Sequence, residues 1–244
     1  MKTLSMAICG LLLFPYTAAQ ADIIGFTAGA ELWQGNADGR AGNTGVSQSL
    51  NFDDDTRRAF YAAFEHPLPL LPNIAMRQQW SEYKGSTVLA GNTVLASTSF
   101  AAQSSIVNQL SIDYTDATFY YELLDNPVLS IDMGMTARWL RTETIFNSTT
   151  RKATTPLPML HAKGHVNILG TQSSIFFDGN YGDYSDNAVY DARLGLAYQF
   201  VDLPAFNLFV KLGVQRLDLD LNNEDGMDIK NVQDGVFAAL EFDF

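Results

Sequence analysis

The last thirteen residues of the chain, 232–244, constrain its fold more than any other stretch. Every second residue from Val232 onward reads Val, Asp, Val, Ala, Leu, Phe and Phe, whereas the residues between them read Gln, Gly, Phe, Ala, Glu and Asp. Largely apolar side chains therefore alternate with largely polar ones up to Phe244. Because successive side chains of a β-strand point to opposite faces, this pattern predicts a strand with one apolar face and one polar face.

Two kinds of β-protein contain such a strand. Phe244 shares its predicted face with Leu240 and Phe242, and an apolar face that ends on an aromatic residue looks like the closing strand of a bacterial outer-membrane β-barrel. In such a barrel the apolar face contacts lipid and the polar face lines the lumen. A water-soluble barrel or sandwich is the alternative. In the membrane-barrel interpretation, Leu240, Phe242 and Phe244 form a signal for the outer-membrane assembly machinery.

The first 21 residues have the layout of a cleavable secretory signal. Lys2 precedes an apolar run from Met6 to Phe14, and Ala19-Gln-Ala21 provides a small-residue cleavage site. A membrane anchor is the alternative, but the apolar run is too short to cross about 30 Å of hydrocarbon as a helix. We therefore expect a cleaved signal peptide at 1–21 and a single outer-membrane β-barrel domain at 22–244.

The composition argues against several classes of function. The only cysteine, Cys9, lies inside the predicted signal, so we expect no disulfide, thiol nucleophile or cysteine metal ligand, and no cofactor is expected. Removal of Lys2 changes the formal net charge from −12 to −13. Because nucleic-acid phosphates attract basic proteins, a chain this acidic is not suited to bind them. Beyond the signal, no uninterrupted apolar stretch of about 18 residues predicts a membrane helix.

Alternating apolar and polar residues recur along the rest of the chain. They predict about ten strands, and an even number is typical of bacterial single-chain barrels. In the fourth strand the apolar parity shifts between Tyr114 and Ala117, which predicts a β-bulge there. The predicted strands cover 22–34, 60–65, 73–83, 109–123, 129–139, 160–168, 174–181, 190–200, 206–215 and 232–244.

The connections between these strands fall into two kinds. Those after even-numbered strands are short, and those after odd-numbered strands, the seventh excepted, are longer and polar; the longest predicted loops are 35–55, 84–104, 142–155 and 218–228. Short periplasmic turns opposite long external loops are typical of outer-membrane barrels. The sequence therefore predicts an all-β, antiparallel up-and-down transmembrane barrel in the outer membrane of a Gram-negative bacterium, with both termini periplasmic.

The tryptophans give an independent indication of the membrane boundaries. Trp33, Trp80 and Trp139 all lie near the ends of odd-numbered predicted strands, where a membrane interface selects for aromatic side chains. Trp33 differs from the other two because it breaks the apolar parity of its strand. We expect it at the rim of the barrel.

Four stretches and the Phe-terminated end carry a similarity to a known family. The stretches are IGFTAGAELW at 24–33, EHPLPLLPN at 65–73, FYYELLDN at 119–126 and YGDY at 181–184. Together they resemble a family of small proteobacterial outer-membrane barrels that are associated with GlyGly-CTERM systems. The similarity extends over the mature chain and implies the barrel architecture. It supplies no catalytic motif and no activity.

Charged residues of both signs have the parity of the predicted lumen. A barrel of about ten strands is little wider than the eight-stranded kind that side chains fill. Opposite charges are then expected to pair across the interior, which makes the barrel a largely filled structural element or, alternatively, a narrow pore whose excess carboxylates prefer cations. The predicted lumen set is Glu31, Glu65, Arg77, Glu122, Asp132, Arg138, His161, Lys163, His165, Asp178, Asp191, Arg193, Lys211, Glu241 and Asp243.

An outer-membrane enzyme that acts on lipid or a surface substrate is the second alternative. Such an enzyme, a lipid-modifying hydrolase, an acyltransferase or a protease, could use His161 or His165 with Asp178. Both histidines, however, have lumen parity, and no Gly-x-Ser-x-Gly motif occurs. As metal ligands the two histidines are also poorly placed, since four residues of strand separate them by about 13 Å. We predict no catalytic and no metal-binding residues.

The acidic stretch near the end of the chain has a weak similarity to a calcium-binding loop. Position six is Asn223 where such a loop has glycine, and position twelve is not glutamate. A solvated acidic loop is therefore the simpler interpretation. We also consider the hypothesis that these acidic loops bind divalent ions that bridge to lipopolysaccharide phosphates. The residues concerned are Asp53, Asp54, Asp55, Asp218, Asp220, Asn222 and Asp225.

The expected protein is thus a monomeric integral outer-membrane barrel. Its expected partners are outer-membrane lipid, lipopolysaccharide and the outer-membrane assembly machinery.

Overall fold

The computed structural model describes residues 24–43, 46–53, 55–95, 98–224 and 226–244. The predicted signal at 1–21 lies outside the described residues. Within them the chain forms fourteen strands. No helix in the described ranges is long and apolar enough to cross a membrane. The strands are β1 (Gly25–Asn43), β2 (Val46–Leu50), β3 (Asp55–Glu65), β4 (Asn73–Trp80), β5 (Glu82–Val88), β6 (Thr93–Leu95), β7 (Thr98–Phe100), β8 (Ser105–Asp125), β9 (Leu129–Phe146), β10 (Thr149–Asn167), β11 (Ser173–Tyr184), β12 (Asn187–Leu203), β13 (Phe206–Glu224) and β14 (Met227–Asp243).

These strands close into one antiparallel barrel. β2 and β3 both pair with β1, and β4 and β5 both pair with β8, so each of these two couples fills a single position in the wall. The described strands therefore occupy ten positions, and β14 returns to pair with β1 along its full length. β6 and β7 form a separate hairpin. The predicted all-β antiparallel barrel of about ten strands is confirmed.

The two ends of the barrel differ. The proximal end, as we name it, contains Ile24 and Phe244, where the Phe244 backbone N–H donates to the Phe26 carbonyl at 2.9 Å and completes the β1–β14 ladder. The opposite, distal end carries the tips of the longest hairpins. At the tip between β11 and β12, Ser185 and Asp186 both have positive φ, 54° and 68°, as a tight two-residue turn between twisted strands requires.

An apolar belt surrounds the proximal half of the barrel wall. Ile24, just before β1, and Phe26 and Leu32 on β1 are exposed on the outer face, while Glu31 next to Leu32 is buried inside. Every long strand repeats this arrangement. Representative belt side chains, each more than a third exposed, are Phe60, Met76, Phe119, Met133, Leu160, Ile175, Leu196, Leu212 and Leu240.

The belt ends where the outward positions become polar. Gln34 on β1, Arg216 on β13 and Asp234 on β14 follow the last apolar outward residues of their strands. Trp139 is 46% exposed on the outer face near this border, in agreement with the predicted interface position. Trp33 instead lies inside the barrel and is 1% exposed, so the expectation that it sits at the rim is wrong.

Beyond this border the faces exchange their character. The strands continue well past the 9–11 residues that a membrane crossing needs, and β8 reaches 21 residues. In this distal half the outer face is mostly polar, and the interior is packed largely with apolar side chains, among which Asn108, Asn231 and Gln233 are also buried. We call this apolar group the distal core. Its members include Leu110, Ile112, Leu140, Phe146, Leu157, Met159, Val189, Leu217, Leu219, Leu221 and Ile229.

Most residues of the polar segments that were predicted to be long loops therefore lie in strands. β1 extends to Asn43. β9 ends at Phe146 and β10 begins at Thr149, while β13 ends at Glu224 and β14 begins at Met227. Gly, Asn and Asp are poor strand formers by themselves, but pairing with neighbouring strands satisfies their backbone groups. The predicted bulge between Tyr114 and Ala117 is also wrong. The register shift in β8 lies between Glu122 and Leu124.

Removal of one methyl group from the distal core tests how much this core contributes to the stability of the barrel. Ile112 is 0% exposed in the distal core, so Ile112→Val is expected to lower the free energy of unfolding by about 1 kcal/mol. Ile131→Val on the outer face is the matched control, because Ile131 is 37% exposed in the belt and a shorter side chain there stays in contact with detergent or lipid. Urea titration of tryptophan fluorescence measures both. Equal midpoints for the two variants would contradict the buried position of Ile112.

Candidate functional site

The lumen holds most of the charged side chains that strand parity predicts for it. Their polar groups lie at two successive levels between the proximal end and the distal core. The first level is a cavity of about 460 Å³. Within the described part of the chain, nine carboxylates and four Lys or Arg side chains line this cavity. The predicted residues on its wall are Glu31, Glu65, Arg77, Glu122, Asp132, His161, Lys163, His165, Asp178, Arg193, Lys211, Glu241 and Asp243.

A chain of ion pairs crosses the inner end of the cavity. Arg77 donates to Glu31 Oε1 at 2.5 Å, and Arg193 donates to Glu31 Oε2 at 3.2 Å. Arg193 also donates to Asp178 Oδ2 at 2.6 Å. Two cations therefore balance two carboxylates here, and Glu31 is only 3% exposed. This part of the lumen is close to electrically neutral.

The proximal part of the cavity is acidic. Glu65 accepts a hydrogen bond from the Tyr120 hydroxyl at 2.6 Å, and Glu122 accepts one from Asn73 at 3.0 Å. Asp132 has its Oδ2 3.4 Å from the Lys163 ammonium nitrogen. The partners of the two glutamates are neutral, so their negative charges are not compensated by these bonds.

A second lysine of the cavity pairs with one of the two cavity-lining carboxylates on β14. Lys211 forms an ion pair with Glu241, and the Tyr61 hydroxyl donates to the same Glu241 oxygen at 2.9 Å. Asp243 accepts a hydrogen bond from the Thr27 hydroxyl at 3.1 Å. These contacts join β14 to β1, β3 and β13, so the charges also hold the closing strand in place.

The two lumen histidines have different surroundings. His161 is buried, and its Nδ1 lies 3.0 Å from Asn180 Oδ1, which also accepts from the Thr136 hydroxyl. His165 lies nearer the proximal end, and its Nε2 has no hydrogen-bond partner among the described residues. The surroundings of neither histidine resemble the relay of hydroxyl, imidazole and carboxylate in a nucleophilic site.

The second level is a layer of fully buried polar side chains around Arg138. The Arg138 guanidinium donates two hydrogen bonds to Asp116, both 2.7 Å long, and one of 2.7 Å to Asp191. Its carbon Cζ lies 3.8 Å from the ring centroid of Tyr114, and the Tyr114 hydroxyl donates to Gln79 at 2.8 Å. Arg138 is 0% exposed. We refer to these five residues as the Arg138 layer.

A buried arginine also lies at the base of the distal core. Arg57 lies between the rings of Trp33 and Tyr83, with its Cζ 4.3 Å and 4.6 Å from their centroids. It donates to the Gly35 carbonyl at 3.1 Å. This stack explains why Trp33 departs from the lipid-facing parity of its strand, since its ring face binds a cation inside the barrel.

The predicted lumen set contains Arg138 and Asp191 but not their partners in this layer. Tyr114 and Asp116 were not predicted, because the expected bulge interrupted the parity of β8. Gln79, on β4, is uncharged and therefore was not part of a set of charged and histidine side chains. An unbroken alternation of polar side chains from Tyr114 to Glu122 was the signal that would have placed Asp116 inside. Tyr114 and Tyr120 in this run are lumen residues, whereas Tyr121 is exposed on the outer face.

The acidic stretch near 218–228 forms the hairpin of β13 and β14. Asp218 and Asp220 pair with Arg216 at 3.3 Å and with Lys230 at 2.5 Å, so basic neighbours offset both charges. Asp54 and Asp225 lie outside the described residues. In the ranges that the structure covers, no three His, Cys, Asp or Glu side chains converge as a metal site would require.

Comparisons with known proteins find similarity of fold and not of sequence family. No protein-family model matches the chain, and no curated protein matches it. Among solved structures, the outer membrane protease OmpT from Escherichia coli matches with a TM-score of 0.52 and 14% identity, over 89% of this chain and 97% of that one. An outer membrane channel from Pseudomonas putida has a TM-score of 0.42 and 11% identity, over 90% and 94%. Neisserial surface protein A has a TM-score of 0.35 and 12% identity, over 92% and 98%. The chain has the fold of a bacterial outer-membrane β-barrel.

Proposed function

We propose that this protein is an integral outer-membrane barrel, with its distal end outside the cell and both termini in the periplasm. The apolar belt, bounded by Trp139 on its distal side, supports a membrane location. The orientation is supported by the short proximal turns and the long distal hairpins, since outer-membrane barrels have short periplasmic connections and longer external ones. The predicted signal peptide is consistent with export.

The proposed role is structural, and we propose that the lumen does not conduct ions. The observation that carries this proposal is the Arg138 layer followed by the distal core. An ion that leaves the cavity would first meet Arg138, Asp116 and Asp191, whose charged groups are already paired with one another. It would then have to cross apolar packing, where an unpaired charge loses its hydration at a cost of several kcal/mol.

A narrow cation-preferring pore is the second candidate. The observation in its favour is the excess of carboxylates over Lys and Arg side chains on the cavity wall among the described residues. Such an excess would concentrate cations if the lumen opened. This candidate requires a rearrangement of the Arg138 layer.

We propose no enzymatic activity. The His161 ring forms a hydrogen bond with the Asn180 side chain, and we interpret this bond as structural. The similarity to a protease extends to the fold only, at 14% identity, and one fold serves many unrelated functions.

The expected partners follow from the proposed location. We propose that the protein contacts outer-membrane lipid and lipopolysaccharide, is inserted by the outer-membrane assembly machinery through Leu240, Phe242 and Phe244, and is a monomer. We also propose that the protein is associated with a GlyGly-CTERM system, because several of its sequence stretches resemble the barrel family with that association.

Conductance in a planar lipid bilayer tests the proposed role. We expect no current steps from folded protein under a KCl gradient, because the Arg138 layer and the distal core close the lumen. Folding is verified first by the different migration of heated and unheated samples in SDS gels, and a general porin in the same bilayer shows that channels are detected. Reproducible steps with a cation-selective reversal potential would overturn the structural proposal in favour of the pore.

A further inference from the structure

The proximal cavity combines a surplus of negative charge with one carboxylate that is incompletely bonded. Asp132 is 3% exposed, and it lines the cavity. Its Oδ1 has no hydrogen-bond partner among the described residues, and its Oδ2 is 3.4 Å from the amine of Lys163. A buried oxygen without a hydrogen bond costs about 1–3 kcal/mol. A donor that enters the cavity would recover this free energy.

The excess charge lies toward the proximal end. The Glu31 and Asp178 carboxylates of the inner end are balanced by Arg77 and Arg193. Asp116, also on the wall, pairs with Arg138. In the described part of the cavity wall, Lys163 and Lys211 face the other six carboxylates, which are Glu65, Glu122, Asp125, Asp132, Glu241 and Asp243.

These six carboxylates lie on four different strands of the wall, β3, β8, β9 and β14, and this favours an extended ligand. Among the described residues, no three of them converge as the ligands of one metal ion would. A cavity of about 460 Å³ falls in the range that small-molecule sites occupy. The Arg138 layer closes its inner end, so a ligand must enter and leave at the proximal end.

The cavity also presents aromatic surface that suits alkylammonium groups. Phe209 and Phe237 lie on its wall. Two amines of the protein itself already lie over aromatic rings here, with Lys163 5.7 Å from the centroid of Tyr120 and Lys211 5.0 Å from that of Phe176. Aromatic faces attract such cations, and methylene groups between charges can contact the rings.

We infer that the proximal cavity binds a linear polyamine, with its protonated amines on Asp132, Glu65 and Glu122. The separated charges of such a molecule match carboxylates that do not converge, and its methylene segments match the aromatic wall. This site is distinct from the proposed structural role and does not require the lumen to conduct.

Calorimetric titration of spermidine into the folded full-length mature protein, in non-ionic detergent at low salt, tests the inference. We expect saturable one-to-one binding that weakens as salt rises. Asp132→Asn and Glu65→Gln should each weaken binding by about tenfold, because each removes a charge-assisted hydrogen bond. Glu65→Gln retains an acceptor for the Tyr120 hydroxyl, so this variant is expected to fold even if Asp132→Asn does not.

Asp183→Asn is the matched control, since Asp183 is an exposed residue on β11 and its loss changes the net charge equally. Its affinity for spermidine should remain within about twofold of the unchanged protein, because screened surface charges contribute little. Absence of saturable binding would overturn the inference, and so would equal weakening by Asp183→Asn. If magnesium chloride binds as tightly as spermidine, the inference is overturned and the ligand is a compact divalent ion. If a short lysine-rich peptide binds more tightly than spermidine and its binding depends on Glu65 in the same way, the inference is also overturned and the ligand is a segment of a protein.

Discussion

Replacement of Arg138 with methionine is expected to lower the free energy of unfolding of the barrel by about 3–5 kcal/mol. Arg138 is 0% exposed and donates to both Asp116 and Asp191. Methionine retains most of the volume but leaves two buried carboxylates close together, without the cation that balances them. Urea titration of tryptophan fluorescence in micelles, with gel migration of heated and unheated samples, measures the loss.

Arg141→Met is the matched control for this substitution. Arg141 lies on the same strand and is exposed on the outer face, where its guanidinium makes one long hydrogen bond of 3.4 Å to Thr115. Its replacement should change the free energy of unfolding by less than about 1 kcal/mol. If both variants unfold at the same urea concentration, the Arg138 layer is not a stabilising network.

A double variant separates the lost pairing from lost packing. Addition of Asp116→Asn to Arg138→Met removes one of the two unbalanced charges, so it should recover part of the lost stability. In the protein with Arg138 intact, Asp116→Asn should instead be destabilising. This sign reversal is the signature of direct coupling between the two side chains.

Gly235→Val is expected to prevent closure of the barrel or to lower its free energy of unfolding by at least about 3 kcal/mol. Gly235 faces Gly35 across the β1–β14 seam. A Cβ at Gly235 would lie 2.2 Å from the Gln34 carbonyl oxygen and 2.7 Å from the Gly35 Cα. Both atoms belong to the backbone, so the clash can be relieved only by moving β14 away from β1. Gel migration and far-ultraviolet circular dichroism of refolded protein measure the closed fraction.

The same substitution at Gly164 provides the control. Gly164 is also in a barrel strand, but the nearest atom to an added Cβ is the Ser130 carbonyl oxygen at 3.8 Å. Gly164→Val should therefore yield a closed barrel with near-normal gel migration. A closed, stable Gly235→Val barrel would mean that the seam is looser than its backbone contacts indicate.

The architecture could be predicted because its main signal is local. Alternation has a period of two residues, so a few neighbouring residues suffice to indicate a strand and its two faces. Glu31 and Leu32, for example, were assigned to opposite faces from parity alone, and the structure places them on opposite faces. The distal strands were missed because their outward residues are polar and their inward positions include glycines such as Gly35 and Gly39 in β1, and only pairing with distant strands makes them extended.

The residues alone predict a two-faced antiparallel barrel with an apolar exterior and charges of both signs inside. Which of those charges meet depends instead on the register of strands that are distant in the chain. Arg138 and Asp191 are 53 positions apart, and the registers of β9, β10, β11 and β12 bring them together. The tertiary structure also places apolar side chains on the inner face beyond the belt. The apolar parity does change at this border, for example between Tyr114 and Ala117 in β8, but parity alone does not distinguish a β-bulge from a continuous strand whose two faces exchange their character.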